Sequence, residues 1–342
     1  MGLRSRRAPF ADRLQARRPD VTRSLIILGP TAVGKSALAL LLAARREGEI
    51  VALDSMQVYA GMEIGTAAPS ADERARCPHH LFGCLPLHMP SDAAAMLARV
   101  RAAEADIRER RRLPILVGGT ALYIKLLVDG MFDGPAADHT LRAELAALAA
   151  QHGSDYLHQR LLAPVDPVSA ARLHPHDLRR VIRAIEVHRT TGRPLSEQQR
   201  QWSAADQSCD YTMIGLTLAR DALYARIDAR VDAMLAAGLL AEVMRLRDEG
   251  IEANPTARQA IGYRELLAHL RGECSLNDAV VLIKRNSRRF AKHQLTWFRR
   301  DARICWFDPS RHATTADLAD AVEAVLDGRA QPQTPPPPRL PR

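Results

Sequence analysis

Ser24–Ala43 reads SLIILGPTAVGKSALALLLA. Four apolar residues, Leu25 to Leu28, run straight into Gly29-Pro30-Thr31-Ala32-Val33-Gly34-Lys35-Ser36, and an alanine- and leucine-rich helical pattern follows at once. This is the whole G-x-x-x-x-G-K-[ST] phosphate loop in its required setting, a strand before and a helix after. Gly29 and Gly34 let the backbone curl round an anion with its N–H groups turned inward, and the helix N-terminus adds positive potential. Lys35 supplies a point charge for a terminal phosphate, and Ser36 a hydroxyl suited to Mg²⁺. The stretch predicts an α/β protein with a P-loop NTPase-like parallel sheet core that binds a polyphosphate.

The rest of the composition sets bounds. With 342 residues, 47% hydrophobic and 25% charged, the chain has room for two soluble globular domains. No apolar run approaches the ~18 residues of a membrane span, and the N-terminus lacks the apolar stretch of a secretory signal. Five cysteines (77, 84, 209, 274 and 305) form no C-x-x-C pair, which suits a reducing, cytoplasmic setting. The net charge of +9 is mostly a property of the ends: residues 1–23 hold seven arginines against two aspartates, and 331–342 add two more arginines. Both ends, 1–22 and the proline-rich 329–342, read as disordered. The near-neutral body makes global charge weak support for a nucleic-acid partner.

Along the body, a second apolar run ends at Asp54-Ser55-Met56-Gln57. A carboxylate at the end of a strand beside a phosphate loop lies where open α/β sheets bind ligands; an N-cap for a following helix is the alternative. Cys77, His79, His80, Cys84 and His88 cluster in sequence, but their spacing fits no standard zinc pattern and ordinary packing is the default. A third run, LPILV at 113–117, leads into Gly118-Gly119-Thr120, where a phosphoryl-transfer enzyme would carry an aspartate for Mg²⁺. Gly-Gly-Thr suits either close approach of an organic second substrate or simply a tight turn.

Strand patterns vanish over 138–205, which predicts an all-helical domain inserted between core segments 23–137 and 206–328. In that insert Arg179 and Arg183 lie one helical turn apart, a clamp for a phosphate backbone or a solvated face balanced by Glu186. Later, Arg226 and Arg230 recur at i, i+4, and 279–300 holds seven Lys/Arg (284, 285, 288, 289, 292, 299, 300) with no acid. Its Phe290, Trp297 and Phe298 are expected to pack, leaving the basic face to bind nucleic acid.

GPTAVGKS, DSMQVY, GMEIGTAAPS, PHHLFG, LVGGTALY, HPHDLRRVIRAIEV, ARQAIGYREL and KHQLTWFRR occur in that order. Together they resemble the bacterial type of the tRNA dimethylallyltransferase (isopentenyltransferase) family over nearly all of residues 24–310. The resemblance implies transfer of a dimethylallyl group from dimethylallyl diphosphate, with Mg²⁺ on Ser36, to the N6 amine of the adenine just 3′ of a tRNA anticodon. It implies catalytic roles for Asp54 as general base, Thr120 as an orienting hydroxyl, and Lys35 and Arg230 (Arg226 the fallback) on the departing diphosphate. It assigns tRNA contacts to Asp54, Ser55, Met56, Gln57, Thr120, Arg142, Arg179, Arg180, Val181, Ile182, Arg183, Arg258, Gln259, Ala260, Ile261, Gly262, Tyr263, Arg288 and Arg289, holding the anticodon stem-loop between the two domains. An ATP-dependent metabolite kinase, an AMP-prenylating relative and a non-catalytic RNA-binding protein are the rivals. No membrane partner is expected, and nothing demands more than a monomer.

Overall fold

The computed structural model describes residues 23–130, 134–135, 137–200 and 211–331. The expected disordered extension at 1–22, the tail from 332 onward and the end of the expected insert, 201–205, lie outside the described residues. Six strands form one sheet: β1 (Ser24–Leu28), β2 (Gly48–Ala52), β3 (His79–His80), β4 (Leu113–Gly118), β5 (Tyr211–Leu216) and β6 (Ile304–Phe307). SLIIL, GEIVA and LPILVG are buried at every position, so both faces of these strands need cover. A parallel sheet between helices supplies it, and all the pairings are parallel.

Strand order is β3-β2-β4-β1-β5-β6. From β1 the chain moves toward β2 through the helix Lys35–Arg45, whereas from β4 it leaves in the opposite direction, toward β5. The carboxyl ends of β1 and β4 therefore form the topological switch point, the place where such sheets open a crevice. Their register pairs Leu28 with Gly118, which sets the phosphate loop and the Gly118-Gly119-Thr120 turn side by side. β2 is the other neighbour of β4, with Ala52 opposite Val117, so Asp54 emerges one strand further along the same rim. Three loops far apart in sequence thus converge because their strands are adjacent.

The chain divides into two compact units, Met1–Ile124 with Cys209–Arg342, and Lys125–Ser208. The second falls in the β4–β5 connection and is wider than the expected 138–205, because the helix Ala121–Val128 already carries its first residues. Its core gathers Leu145, Leu157, Leu162, Val181, Ile185 and Val187 from separate helical segments. Asp166 is fully buried and accepts from Ser169 N–H, Ser169 Oγ–H and Ser196 N–H at 2.9, 2.6 and 3.0 Å, stapling Pro167–Arg172 to Leu195–Arg200.

Candidate active site

The phosphate loop has the backbone its sequence requires. Gly29 has φ 144°, and a Cβ there would lie 2.6 Å from the Leu216 carbonyl oxygen of β5, so only glycine fits. Ala32 and Gly34 adopt φ 63° and 107°, the left-handed turns that swing successive N–H groups toward one point. At Ala32 that conformation costs about 1 kcal/mol. Lys35 Nζ donates to the carbonyls of Gly29 (3.0 Å) and Pro30 (2.8 Å). Burial, and then the Arg230 guanidinium nearby, lower its pKa to about 7, against a weaker pull from Asp54.

Asp54 follows β2 and lines the same cavity, of about 720 Å³, as Lys35, Ser36, Arg226 and Arg230. Its Oδ1 accepts the Met56 N–H at 2.9 Å, which holds the carboxylate in a tight turn. No helix starts there, so the N-cap alternative does not apply. Thr120 Oγ1 accepts the Ser55 N–H at 3.2 Å, tying the turn after β4 to the turn after β2. Gly118 and Gly119 line the cavity, and Thr120, expected at the site, is not among the residues that line it. Arg230, on the helix Arg220–Ala236, has its pKa lowered by burial, opposed by Asp54, and makes no ion pair among the described residues. The site is therefore a desolvated pair of cations, Lys35 and Arg230, with Arg226 beside them, facing Asp54; Glu73, the other carboxylate on the wall, accepts the Ser70 N–H. A polyanion is what that field attracts. Pro69, Phe82, Val117 and Phe290 add apolar wall.

The oxygen donors that could hold a divalent metal are the exposed Ser36 hydroxyl and the Asp54 carboxylate, which share the cavity. Among the described residues no three His, Cys, Asp or Glu side chains gather as a metal site. That donor set suits Mg²⁺, which binds through one or two protein oxygens plus substrate phosphates. In the Cys77–His88 run, His79 Nδ1 lies 2.8 Å from the Cys77 carbonyl and His80 Nε2 lies 2.7 Å from Glu49.

The expected RNA contacts divide. Arg179, Arg180, Arg258, Gln259 and Arg289 are exposed. Gln57 lines the cavity and donates to the Thr66 and Ala67 carbonyls at 3.0 and 3.2 Å, which pins the loop that forms one wall. For five others the structure corrects the expectation. Val181 and Ile182 pack inside the helical unit, and Ala260, Gly262 and Tyr263 are buried in the sheet-bearing unit. Tyr263 donates its hydroxyl to Glu242 at 2.6 Å instead.

The arginine clamp is corrected as well. Arg183 pairs with the fully buried Glu186 and donates to the Pro135 carbonyl, while Arg142 grips the same carboxylate with Nε and Nη2 at 2.8 and 2.9 Å. Burial pushes the Glu186 carboxyl up, but these pairs outweigh it and hold it low. Arg288 is bound to Asp228 at 2.5 and 2.7 Å and Lys284 to Asp232, so the neighbouring helix Arg220–Ala236 neutralises part of the basic stretch. The packing expectation for the aromatics holds for Phe298, which is buried, and fails for Phe290 and Trp297, each 42% exposed.

Two residues escaped sequence reasoning. Glu242 accepts three successive backbone N–H groups, from Glu63, Ile64 and Gly65, at 3.0, 2.8 and 3.2 Å, and so anchors the loop that Gln57 grips from the other side. Gln294 bonds both Thr31 and Gly119. Each is a polar residue on an otherwise apolar helical stripe, Leu239-Glu242-Val243-Leu246 and Ala291-Gln294-Leu295-Phe298, and that periodicity was the available signal.

Comparison with known proteins identifies the family. The sequence model of the IPP transferase family matches residues 57–301, and that of isopentenyl transferases matches 22–77. The chain is 50% identical to a tRNA dimethylallyltransferase of Geobacter metallireducens over 289 residues, 84% of this chain and 93% of the relative. Among solved structures, the full-length tRNA isopentenylpyrophosphate transferase of Bacillus halodurans is 39% identical with a TM-score of 0.64, spanning 90% of this chain and 98% of that one. A eukaryotic dimethylallyltransferase captured acting on tRNA is 26% identical with a TM-score of 0.76, over 92% and 82% of the two chains. With family models matching residues 22–77 and 57–301 and most of its length shared with these relatives, the chain belongs to the IPP transferase family of tRNA dimethylallyltransferases.

Proposed function

We propose that this chain transfers the dimethylallyl group of dimethylallyl diphosphate to the N6 amine of the adenine immediately 3′ of a tRNA anticodon, releasing diphosphate. The observation that carries the reading is the juxtaposition of Lys35 and Arg230, desolvated and facing one cavity, with Asp54 on the neighbouring rim loop. The amine nitrogen bonds to the allylic carbon while the carbon–oxygen bond to diphosphate breaks. Negative charge builds on the leaving oxygens, where Lys35, Arg230 and the loop N–H groups receive it. Asp54 accepts the proton lost from the amine, and Thr120, through Ser55, holds that carboxylate turn in place. Mg²⁺ held by Ser36 and the two phosphates would add further charge neutralisation.

Because the bond broken is C–O, no aspartate is needed after β4; Gly118 and Gly119 instead let Leu53 and Gln294 pack tightly against this turn, and the extruded base enters the cavity they border. Phe82, Pro69 and Phe290 offer apolar surface to the prenyl group. The exposed Arg179, Arg258 and Arg289 provide phosphate contacts. No helix among the described residues is long and apolar enough to cross a membrane, and the reading places the work of a single chain in the cytoplasm, where tRNA is found. Incubating the purified chain with unmodified tRNA and labelled dimethylallyl diphosphate, then analysing nucleosides, should yield prenylated adenosine. Consumption of ATP with unprenylated tRNA would replace this reading with a kinase.

A further inference from the structure

The helix Leu276–Phe298 buries Ala279, Ile283, Ala291, Leu295 and Phe298, and among them Gln294, only 4% exposed. Its carboxamide is used at both ends. Oε1 accepts the Thr31 N–H at 3.0 Å, and Nε2 donates to the Gly119 carbonyl at 2.9 Å. The two partners fix its orientation, because a flipped amide would set donor against donor and acceptor against acceptor. Gly119 has no Cβ because one would collide with that nitrogen. Thr31 belongs to the phosphate loop. Gly119 precedes Thr120, which takes the Ser55 N–H beside Asp54. One side chain, from a third element, therefore spans the gap between the loop that grips the donor and the turn that steadies the base.

We propose that Gln294 is a positioning residue that sets the spacing between these two loops. The inference rests on the prenyl-transfer reading above. In a displacement the reacting atoms must approach to about 3–3.5 Å, and ~1 Å of misplacement costs on the order of 10² in rate. Gln294 does not bond to Lys35 or Ser36, nor to the backbone N–H groups of Gly34–Ser36. Its loss slows transfer while the grip on diphosphate persists.

The test uses the full chain with Gln294→Met, which keeps the length without the hydrogen bonds, and Gln294→Glu. Single-turnover transfer to an anticodon stem-loop at saturating dimethylallyl diphosphate is measured beside the dissociation constant of inorganic pyrophosphate. The Met variant should transfer about 10²-fold more slowly and bind pyrophosphate within about threefold of wild type. A protonated Glu reproduces both the donor and the acceptor, so the Glu variant's rate relative to wild type should rise as pH falls from about 8 to about 6. A Met variant within about threefold of the wild-type rate, or one losing pyrophosphate affinity in proportion to rate, overturns the proposal. If the Met variant does not fold, a flat Glu-to-wild-type ratio overturns it. A wild-type chain that leaves the stem-loop unprenylated instead removes the activity on which the inference rests.

Discussion

Two sets of half-buried cations in this protein are built on opposite principles. In the helical unit, Arg142 and Arg183 converge on Glu186, a carboxylate with no exposure, and four donor contacts including the Asp138 N–H saturate it. In the sheet-bearing unit, burial lowers the pKa of both Lys35 and Arg230, Arg230 lowers that of Lys35 further, and Asp54 offsets these effects only partly. The first arrangement is complete in itself and stabilises a fold. The second is left electrostatically unfinished, and the diphosphate of the proposed reaction would complete it.

The comparison can be broken in several ways, the most severe first. Asp54→Asn should cut kcat by about 10²–10⁴ while tRNA affinity stays within a few-fold; filter binding beside single-turnover rates reads both, and a loss confined to binding would remove the general base. Lys35→Met should cost about 10²–10³ in transfer yet leave the melting temperature equal or higher, since it deletes a desolvated charge. A large fall in melting temperature would mean that Lys35 is structural in the way Arg142 is.

Glu186→Gln tests the other half. Its arginine partners are each about one-third solvent-open, so the loss is discounted to roughly 2 kcal/mol of stability by denaturant unfolding. The native carboxyl is held below its ordinary value, so this stability is present above the unfolded carboxylate pKa and drains away as pH falls through the lowered native one. Unchanged stability would show that the three-residue cluster contributes nothing net.

The pH dependence of the donor site has the opposite sense. The Lys35 pKa is lowered to about 7 in the free protein, and a bound polyanion raises it. Diphosphate affinity should be full below that value and weaken above it by up to about tenfold per pH unit, with proton uptake on binding. Calorimetry in buffers of different ionisation enthalpy counts those protons, and a count of zero above neutrality would contradict the lowered lysine. The smallest effect belongs to Arg289→Ala, which should weaken tRNA binding a few-fold and reduce the salt slope by about one. Arg288→Ala should instead act through the Asp228 pair, with a stability change and a smaller salt effect.

The phosphate loop, the parallel sheet and the helical insert were legible in the linear chain because each is written in local chemistry. Gly29, Gly34, Lys35 and Ser36 are adjacent, a strand buried on both faces is apolar at every position, and a helix repeats its stripe. Asp54 was legible as a candidate by its place after the second apolar run, its catalytic reading resting on family resemblance. What only the tertiary structure decided is which charges are already spent. The basic stretch ending at Arg300 contains no acid, yet Asp228 and Asp232 from another helix neutralise two of its cations. Arg142 is expected to contact RNA, yet Glu186, 44 residues away, holds it. The bridging role of Gln294 depends likewise on segments more than 100 residues away. Backbone conformation is governed by neighbours along the chain, whereas electrostatic satisfaction depends on neighbours in space, and those exist only after the three rim loops and their helices have been brought together.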